Sequence, residues 1–84
     1  MSTIKVRVTY FAQARELTES KEEEYELNNP TDMNQLIAEV LNAHPRLGEI
    51  KAVLRSLVNG RVVRDNIKLS DGDEITLFPP VGGG

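Results

Sequence analysis

The residues of this sequence that are best suited to do chemistry are its last six: Pro79, Pro80, Val81, Gly82, Gly83 and Gly84. Glycine has no Cβ and adopts almost any backbone conformation, so three in succession can thread a channel too narrow for other residues. Each proline fixes φ near about −65° and has no N–H, so the pair ends a strand and stiffens a stem. Fully extended, six residues at roughly 3.3–3.6 Å each reach about 20 Å. The pattern predicts a flexible tip on a stiff stem, which delivers a terminal carboxylate into a partner's active site. The alternative is a frayed end, as termini commonly are, although a frayed end needs no rigid spacer.

The chemistry open to such a tail is that of the α-carboxylate of Gly84. Its ordinary pKa is about 3.3–3.7, so it is ionised at neutral pH and is a poor electrophile. It must first be activated, most simply as an acyl-adenylate made from ATP. The sequence has no Gly-x-x-x-x-Gly-Lys-Ser/Thr phosphate loop and no cluster of candidate bases or nucleophiles. We therefore expect the activating machinery to belong to a partner. The activated carbonyl can then be captured by sulfur, giving a thiocarboxylate, or by a lysine amine, giving an isopeptide.

Composition narrows the remaining classes of function. The 84 residues provide one domain with one core, and the net charge of −3 argues against a nucleic-acid partner. With no cysteine, disulfides, thiolate metal sites and thiol nucleophiles are excluded. The single histidine, His44, precedes Pro45 and is predicted to be exposed or to cap a helix, not to bind a metal or act in catalysis. No apolar run approaches the roughly 20 residues that span a bilayer, and no signal peptide is recognisable. We expect a cytoplasmic protein with no membrane partner.

Strict alternation of apolar and polar residues predicts a first strand over residues 4–10. Residues 12–17 predict a short helical turn. Residues 21–27 predict a second strand that pairs with the first near an edge of the sheet, where its charge discourages unwanted pairing. Its glutamates, at positions 22–24 and 26, are interpreted as a solvated face, with a docking surface for a basic partner as the alternative.

A helix is predicted after residues 31 and 32, either of which can cap it. Its apolar residues recur at helical spacing and form one stripe: Met33, Leu36, Ile37, Val40 and Leu41. The helix should end near His44, because Pro45 restrains that residue from helical geometry. A third strand is predicted over residues 52–58, and Asn59-Gly60 predicts a tight turn into residues 61–63. A turn over residues 70–73 then leads into the last strand, residues 74–78.

This order of elements predicts an α+β domain, residues 1–78, in which one main helix packs on one face of a mixed sheet of about five strands. Residues 79–84 would form the flexible tail. The other face of the sheet has no helix to cover it. Phe11 and Phe78 both break the inward alternation of their strands, and together on the open face they would form an apolar patch for a partner. This interpretation is favoured for Phe78; for Phe11, a bend that buries the ring in the core is an equal alternative.

Three segments carry a resemblance to a known family: residues 10–17 (YFAQAREL), 69–74 (LSDGDE) and 78–84 (FPPVGGG). Together they resemble the small, sulfur-carrier subunit of molybdopterin synthase, of the ThiS–MoaD superfamily. The terminal glycine pair alone is shared with ubiquitin and with the thiazole-pathway sulfur carrier; the other motifs are more specific. The resemblance spans essentially the whole chain and implies a ubiquitin-like β-grasp fold. Gly82 stands where related chains carry various small residues.

The resemblance implies a sulfur-carrier cycle in the biosynthesis of the molybdenum cofactor. An E1-like adenylyltransferase would adenylate Gly84 with ATP, and a persulfide donor would convert it to the thiocarboxylate. The tail would then enter the large synthase subunit, in an expected heterotetramer, and give its sulfur to cyclic pyranopterin monophosphate. The chain would bind no cofactor and have no catalytic site of its own. The alternatives are a protein modifier conjugated through Gly84 to lysines, and a thiazole-pathway sulfur carrier.

Overall fold

The computed structural model describes residues 2–80 and contains a five-stranded mixed sheet with helices on one side. The strands are β1 (Thr3–Tyr10), β2 (Glu22–Asn28), β3 (Arg55–Val58), β4 (Arg61–Val63) and β5 (Glu74–Phe78). Their order in the sheet is β2-β1-β5-β3-β4. Only the β1–β5 pair is parallel within the described sheet. The predicted mixed sheet is confirmed, as is the place of β2 at an edge beside β1.

Helix α1 (Gln13–Thr18) follows β1, and the core lies between the sheet and helix α2 (Met33–Ala43). The inward residues of β1 alternate as predicted, and Ile4, Val6, Val8 and Tyr10 are all buried. On β5 the buried residues are Ile75 and Leu77. Because side chains alternate across a strand, the residues between them face away from the helix and form the open face of the sheet.

The start of α2 follows the prediction closely. Asp32 is the N-cap, and its Oδ1 accepts a hydrogen bond from the backbone N–H of Gln35 at 2.9 Å. That bond satisfies one of the donors that the first helical turn leaves unpaired. The helix ends at Ala43, and His44 occupies the C-cap, where its N–H donates to the carbonyl of Val40. The apolar stripe is buried at Met33, Leu36 and Val40.

The predicted third strand is wrong in its first half. Pro45–Val53 form a 3-10 helix, and the strand comprises only Arg55–Val58. Leu47 and Ile50, three residues apart, are its buried residues, in keeping with three residues per turn. Val53 is 45% exposed. The apolar run from residue 52 therefore does not continue the strand, because its first residues belong to the exposed side of this helix.

The turn between β3 and β4 has the predicted form. Asn59 and Gly60 both have positive φ, 51° and 86°. Positive φ at both central residues lets a two-residue turn match the right-handed twist of the strands that it joins. The Asn59 side chain also ties the hairpin to β5, since its Oδ1 accepts from the N–H of Glu74 at 2.9 Å. The backbone N–H of Asn59 donates to the carbonyl of Glu74 at 2.8 Å. The hairpin is thereby fixed against the strand that leads to the tail.

Candidate functional site

The predicted tail begins at the end of a central strand. β5 lies between β1 and β3, with Leu77 in register with Tyr10 and Phe78 in register with Arg55. One residue beyond β1, the N–H of Phe11 donates to the carbonyl of Leu77 at 3.0 Å. The last residues of β5 are therefore held by strands on both sides.

Beyond β5, Pro79 is half-buried and Pro80 is exposed. The rest of the predicted tail, Val81, Gly82, Gly83 and Gly84, lies outside the described residues. The prediction of a flexible tail over residues 79–84 stays a prediction.

Beside the root of the tail, the open face carries an apolar patch, which we define as Phe11, Leu57, Val62 and Phe78. Phe11 is 50% exposed and Val62 is 58% exposed, while Leu57 and Phe78 are half-buried. Leu57 and Val62 are paired across β3 and β4, and both alternate with inward-facing neighbours. Phe11 is therefore not buried in the core, which resolves the alternative left open by the sequence. The role of Phe11 and Phe78 in binding a partner stays a prediction.

Leu57 and Val62 were not among the residues predicted for this patch. The signal was present in the alternation of each strand, because Val58 and Leu57 must point to opposite faces. However, residues 52–58 carry apolar side chains at both odd and even positions, so alternation alone does not show which of the two faces is buried.

Phe11 is exposed because the chain leaves the sheet immediately after it. Ala12 has φ 54° and ψ −130°, a conformation that L-residues seldom adopt. The following helix, α1 (Gln13–Thr18), buries Ala14 and Leu17. The Arg15 guanidinium turns back, and its Nε donates to the carbonyl of Tyr10 at 3.3 Å. The segment YFAQAREL thus forms a sharp exit from β1 that leaves the Phe11 ring at the surface.

The segment LSDGDE anchors the start of β5 to β1. Asp71 Oδ1 accepts from the N–H of Lys5 at 2.8 Å, and the N–H of Gly72 donates to the carbonyl of Lys5 at 2.8 Å. Asp73 closes the turn, since its Oδ2 accepts from the N–H of Ser70 at 2.8 Å. Gly72 has φ +87°, which favours glycine at this position. These bonds fix the register of β5, and with it the position of the tail root.

The acidic strand β2 presents two different faces. Glu22, Glu24 and Glu26 are exposed, and they lie in register with Thr9, Arg7 and Lys5 of β1. Their exposure agrees with the interpretation as a solvated face. Glu23 differs, because it is half-buried and turned toward the helix side.

Glu23 is the centre of a cluster that the sequence did not predict. Its Oε1 accepts hydrogen bonds from the hydroxyls of Tyr10, at 2.7 Å, and Tyr25, at 3.0 Å. His44 Nε2 lies 2.7 Å from the same oxygen. The two tyrosine hydroxyls are 3.2 Å apart, and the Tyr10 and His44 rings meet edge to face with centroids 5.8 Å apart. The cluster joins β1, β2 and the end of α2.

The ionisation of the cluster follows from its burial and hydrogen bonds. Burial opposes the charged form of Glu23, but hydrogen bonds from His44, Tyr10 and Tyr25 outweigh it and hold the pKa of Glu23 below its ordinary value. Burial raises the pKa of Tyr25 to about 12. Burial and the hydrogen bond with Tyr25 raise the pKa of Tyr10 well above its ordinary range.

His44 was predicted to be an exposed or capping residue. It does cap α2, but its side chain is only 15% exposed and contacts Glu23. The partner lies 21 residues away in sequence, so no local pattern could reveal the contact. Within residues 2–80, no group of three or more His, Cys, Asp or Glu side chains is arranged to hold a metal ion. Nor does that part of the chain include a helix of the length and apolarity needed to cross a bilayer.

Comparison with protein families matches residues 8–84 to the ThiS family. The chain belongs to this family. It is 34% identical to the molybdopterin synthase sulfur carrier subunit of Chlamydomonas reinhardtii, with 96% of this chain and all of the relative covered. The subunit of the same description from Mycobacterium tuberculosis is 37% identical, with 96% and 99% covered. The resemblance found in the sequence motifs is thus confirmed.

Solved structures share the fold of this ThiS-family chain. A Pyrococcus furiosus protein described as molybdopterin converting factor subunit 1 has a TM-score of 0.84 and 37% identity, covering 93% of this chain and 99% of its own. SAMP1, a small archaeal modifier protein from Haloferax volcanii, has a TM-score of 0.82 and 26% identity, with 95% and 99% covered. A complex of subunits 1 and 2 of molybdopterin-converting factor from Helicobacter pylori contains a chain with a TM-score of 0.72 and 29% identity. The match covers 96% of this chain and 100% of that chain. The ubiquitin-like β-grasp fold is confirmed.

Proposed function

We propose that this chain is the sulfur-carrier subunit of a molybdopterin synthase and that Gly84 carries the sulfur as a thiocarboxylate. The observation that carries the proposal is the placement of the tail root: a central strand, held on both sides, ends beside an exposed apolar patch. A partner that covers the patch is thereby positioned to receive the residues that follow Pro80. The curated relatives, described as sulfur carrier subunits over nearly their full length, support the same function.

In the proposed cycle, the chain supplies the acyl group and its partners supply the catalysis. An E1-like adenylyltransferase activates the Gly84 carboxylate, whose oxygen attacks the α-phosphate of ATP and displaces pyrophosphate. The terminal sulfur of a persulfide donor then displaces AMP to form an acyl disulfide, and a thiol of the partner machinery cleaves its S–S bond by disulfide exchange, releasing the thiocarboxylate and leaving a disulfide on the donor. In the large subunit, the thiocarboxylate sulfur displaces an oxygen substituent of cyclic pyranopterin monophosphate, and water then hydrolyses the acyl–sulfur bond, so that the sulfur stays on the pterin and Gly84 returns to the carboxylate. The chain itself binds no cofactor in this cycle.

We assign the large synthase subunit as the partner of the apolar patch, in a heterotetramer. The H. pylori complex of subunits 1 and 2, in which one chain shares this fold, supports such a pairing. Phe11 and Val62, each at least half exposed, offer apolar surface that a partner can remove from water. Their neighbours Phe78 and Leu57 extend the same surface across β5 and β3.

The test of the carrier function is the intact mass of the protein purified from its native cells. We expect a fraction of the protein to be heavier by the difference between one sulfur and one oxygen, with the change located at Gly84 by fragmentation. A variant that lacks Gly84 provides the control, since it should show no such fraction. A native protein that carries only the carboxylate while molybdopterin is being made would contradict the proposal.

The second candidate function is a protein modifier joined through Gly84 to lysine side chains. The likeness to SAMP1 of H. volcanii, over nearly the whole of both chains, favours it specifically. The same cell lysates decide between the two. Isopeptide-linked adducts on lysines of other proteins would assign the modifier function, and their presence together with the thiocarboxylate would assign both.

A further inference from the structure

A second surface lies on the helix side of the sheet, away from the apolar patch. A crevice of about 460 Å³ opens between the start of α2, the end of the 3-10 helix and the hairpin of β3 and β4. A hollow of about 640 Å³ continues it along α2. The two share Asn34, Ile37 and Lys51, so together they form one trough. Both hollows are open to solvent, so the trough is a shallow surface groove and not an enclosed pocket.

The floor of the trough is apolar. Ile37 and Leu41, four residues apart, lie on the same side of α2, and Leu54 and Val63 face them from the other wall. All four are half-buried and pack against the core from its margin. They therefore keep surface that a ligand can cover without any change in the fold.

The rim of the trough is cationic, although the protein as a whole has a net charge of −3. Lys51 and Arg64 line it on the helix side, against the single carboxylate of Asp65, while Arg55, in register with Phe78, borders the crevice from the open face of the sheet. All three cations are exposed, and within residues 2–80 none of them lies within 4.0 Å of a carboxylate oxygen. Lys51 lines both hollows, whereas Arg64, the residue after β4, lines only the crevice. A ligand that complements this rim is anionic.

The shape of the trough favours a linear ligand over a compact one. It runs beside α2 from Met33 to Asn42, ten residues separated by nine steps, or roughly 13 Å at about 1.5 Å per step. About four extended residues span that distance. In an extended segment, alternate side chains point in opposite directions. Apolar side chains can then reach the floor while acidic ones remain at the rim.

From this combination we propose that the trough binds an extended segment of a partner protein in which apolar and acidic residues alternate. Occupancy of the trough leaves the apolar patch and the tail root uncovered, because they lie on the other face of the sheet. The segment can therefore bind while Gly84 is engaged elsewhere. Exposed ion pairs are individually weak and are screened by salt, so the binding is expected to be weak and strongly salt-dependent.

The test uses the full, isotope-labelled chain and a blocked heptapeptide, Glu-Leu-Glu-Leu-Glu-Leu-Glu, followed by amide chemical shifts. We expect shifts confined to α2, the end of the 3-10 helix and residues 63–66, with an affinity that falls as salt is added. Two matched peptides, with glutamine or lysine in place of glutamate, should bind far more weakly. Equal binding of all three peptides would overturn the charge argument, as would shifts confined to Phe11, Leu57 and Val62.

The paired variants remove the rim without touching the patch. The double variant Lys51→Glu, Arg64→Glu should weaken binding of the acidic peptide roughly tenfold or more. The control is the double variant Lys21→Glu, Lys68→Glu, which changes the net charge equally at exposed positions outside the trough. It should have a much smaller effect on binding. Arg55 is left unchanged because it is in register with Phe78. Equal losses of affinity in the two double variants would show that only the net charge of the protein matters and would overturn the proposal. If the amide chemical shifts of the trough residues changed with protein concentration in the absence of peptide, the trough would instead be assigned to binding a second copy of this chain, and the proposal would be overturned.

Discussion

Replacing Phe11 with alanine separates the surface role of this ring from a role in folding. Full burial of a phenylalanine side chain is worth about 1.5–3 kcal/mol. Phe11 is 50% exposed in the free chain, so about half of that, roughly 0.8–1.5 kcal/mol, remains available to a partner. Since about 1.4 kcal/mol corresponds to a tenfold change in affinity, Phe11→Ala should raise the Kd for the large synthase subunit roughly fourfold to tenfold. The other half is buried in the free chain, so the same substitution should cost its stability a similar amount, about 0.8–1.5 kcal/mol.

The assay is isothermal titration calorimetry of the large subunit with each variant, paired with thermal unfolding of the free chain. Ile37→Ala is the control, because Ile37 is half-buried on α2, on the helix side of the sheet and not on the face that carries the patch. It should leave the Kd unchanged. Leu77→Ala calibrates the unfolding measurement, since this residue is fully buried and its truncation should cost about 2–5 kcal/mol. Equal changes in Kd for Phe11→Ala and Ile37→Ala would refute the assignment of the patch, and a core-sized loss of stability for Phe11→Ala would refute the exposure argument. Phe78 is half-buried and less exposed than Phe11, so Phe78→Ala should weaken binding less than Phe11→Ala does and destabilise the free chain more.

Three further predictions concern the tail, the cluster and a turn. Deleting Gly84, or extending the chain beyond it, should abolish sulfur transfer in a reconstituted synthase assay and leave the melting temperature nearly unchanged; a large drop in melting temperature would contradict a tail outside the core. The folded pKa of Glu23 lies below its ordinary value of 4.5, so its ionisation stabilises the fold above that pH and the contribution is lost as pH falls through the folded pKa. Glu23→Gln should therefore be less stable than the parent at neutral pH, with the gap narrowing below pH 4.5; a constant gap in urea titrations across that range would exclude the ionised carboxylate as its cause. Gly72→Ala should destabilise by about 1–2 kcal/mol, because its φ of +87° disfavours a side chain although no atom lies within 4 Å of the added Cβ. Gly48→Ala, equally uncrowded but not at such a positive φ, should be close to neutral, and equal losses at the two glycines would contradict a conformational cause.

Elements whose signal is local could be predicted from the sequence. The alternation in β1 and the cap and stripe of α2 are properties of consecutive residues, and both were placed within a residue or two. The 3-10 helix was missed because its apolar residues, Leu47 and Ile50, repeat every three positions in a segment too short to establish a period. Residues 52–54 then extend an apolar run into β3, and nothing local separates the two elements.

Contacts between distant segments could not be predicted in the same way. The Glu23 cluster depends on the pairing of β2 with β1 and on the point where α2 ends, and His44 alone gives no sign of a partner 21 residues away. The trough likewise arises only when α2 and the β3–β4 hairpin are brought together. The exposure of Phe11 depends on the backbone turn at Ala12, which strand alternation does not determine.

The sequence motifs that carry the family resemblance have structural roles in the described part of the chain. Asp71 and Asp73 bind backbone N–H groups and fix the start of β5 against β1. The residues around Ala12 turn the chain out of the sheet and leave Phe11 exposed beside the end of that strand. Neither motif assembles a base, a nucleophile or a phosphate site; both determine where Phe78 ends the sheet and what surface surrounds it. A carrier whose reactive group is its own terminus needs this kind of constraint, because its partners must find the tail root in one fixed position relative to the surface that they bind.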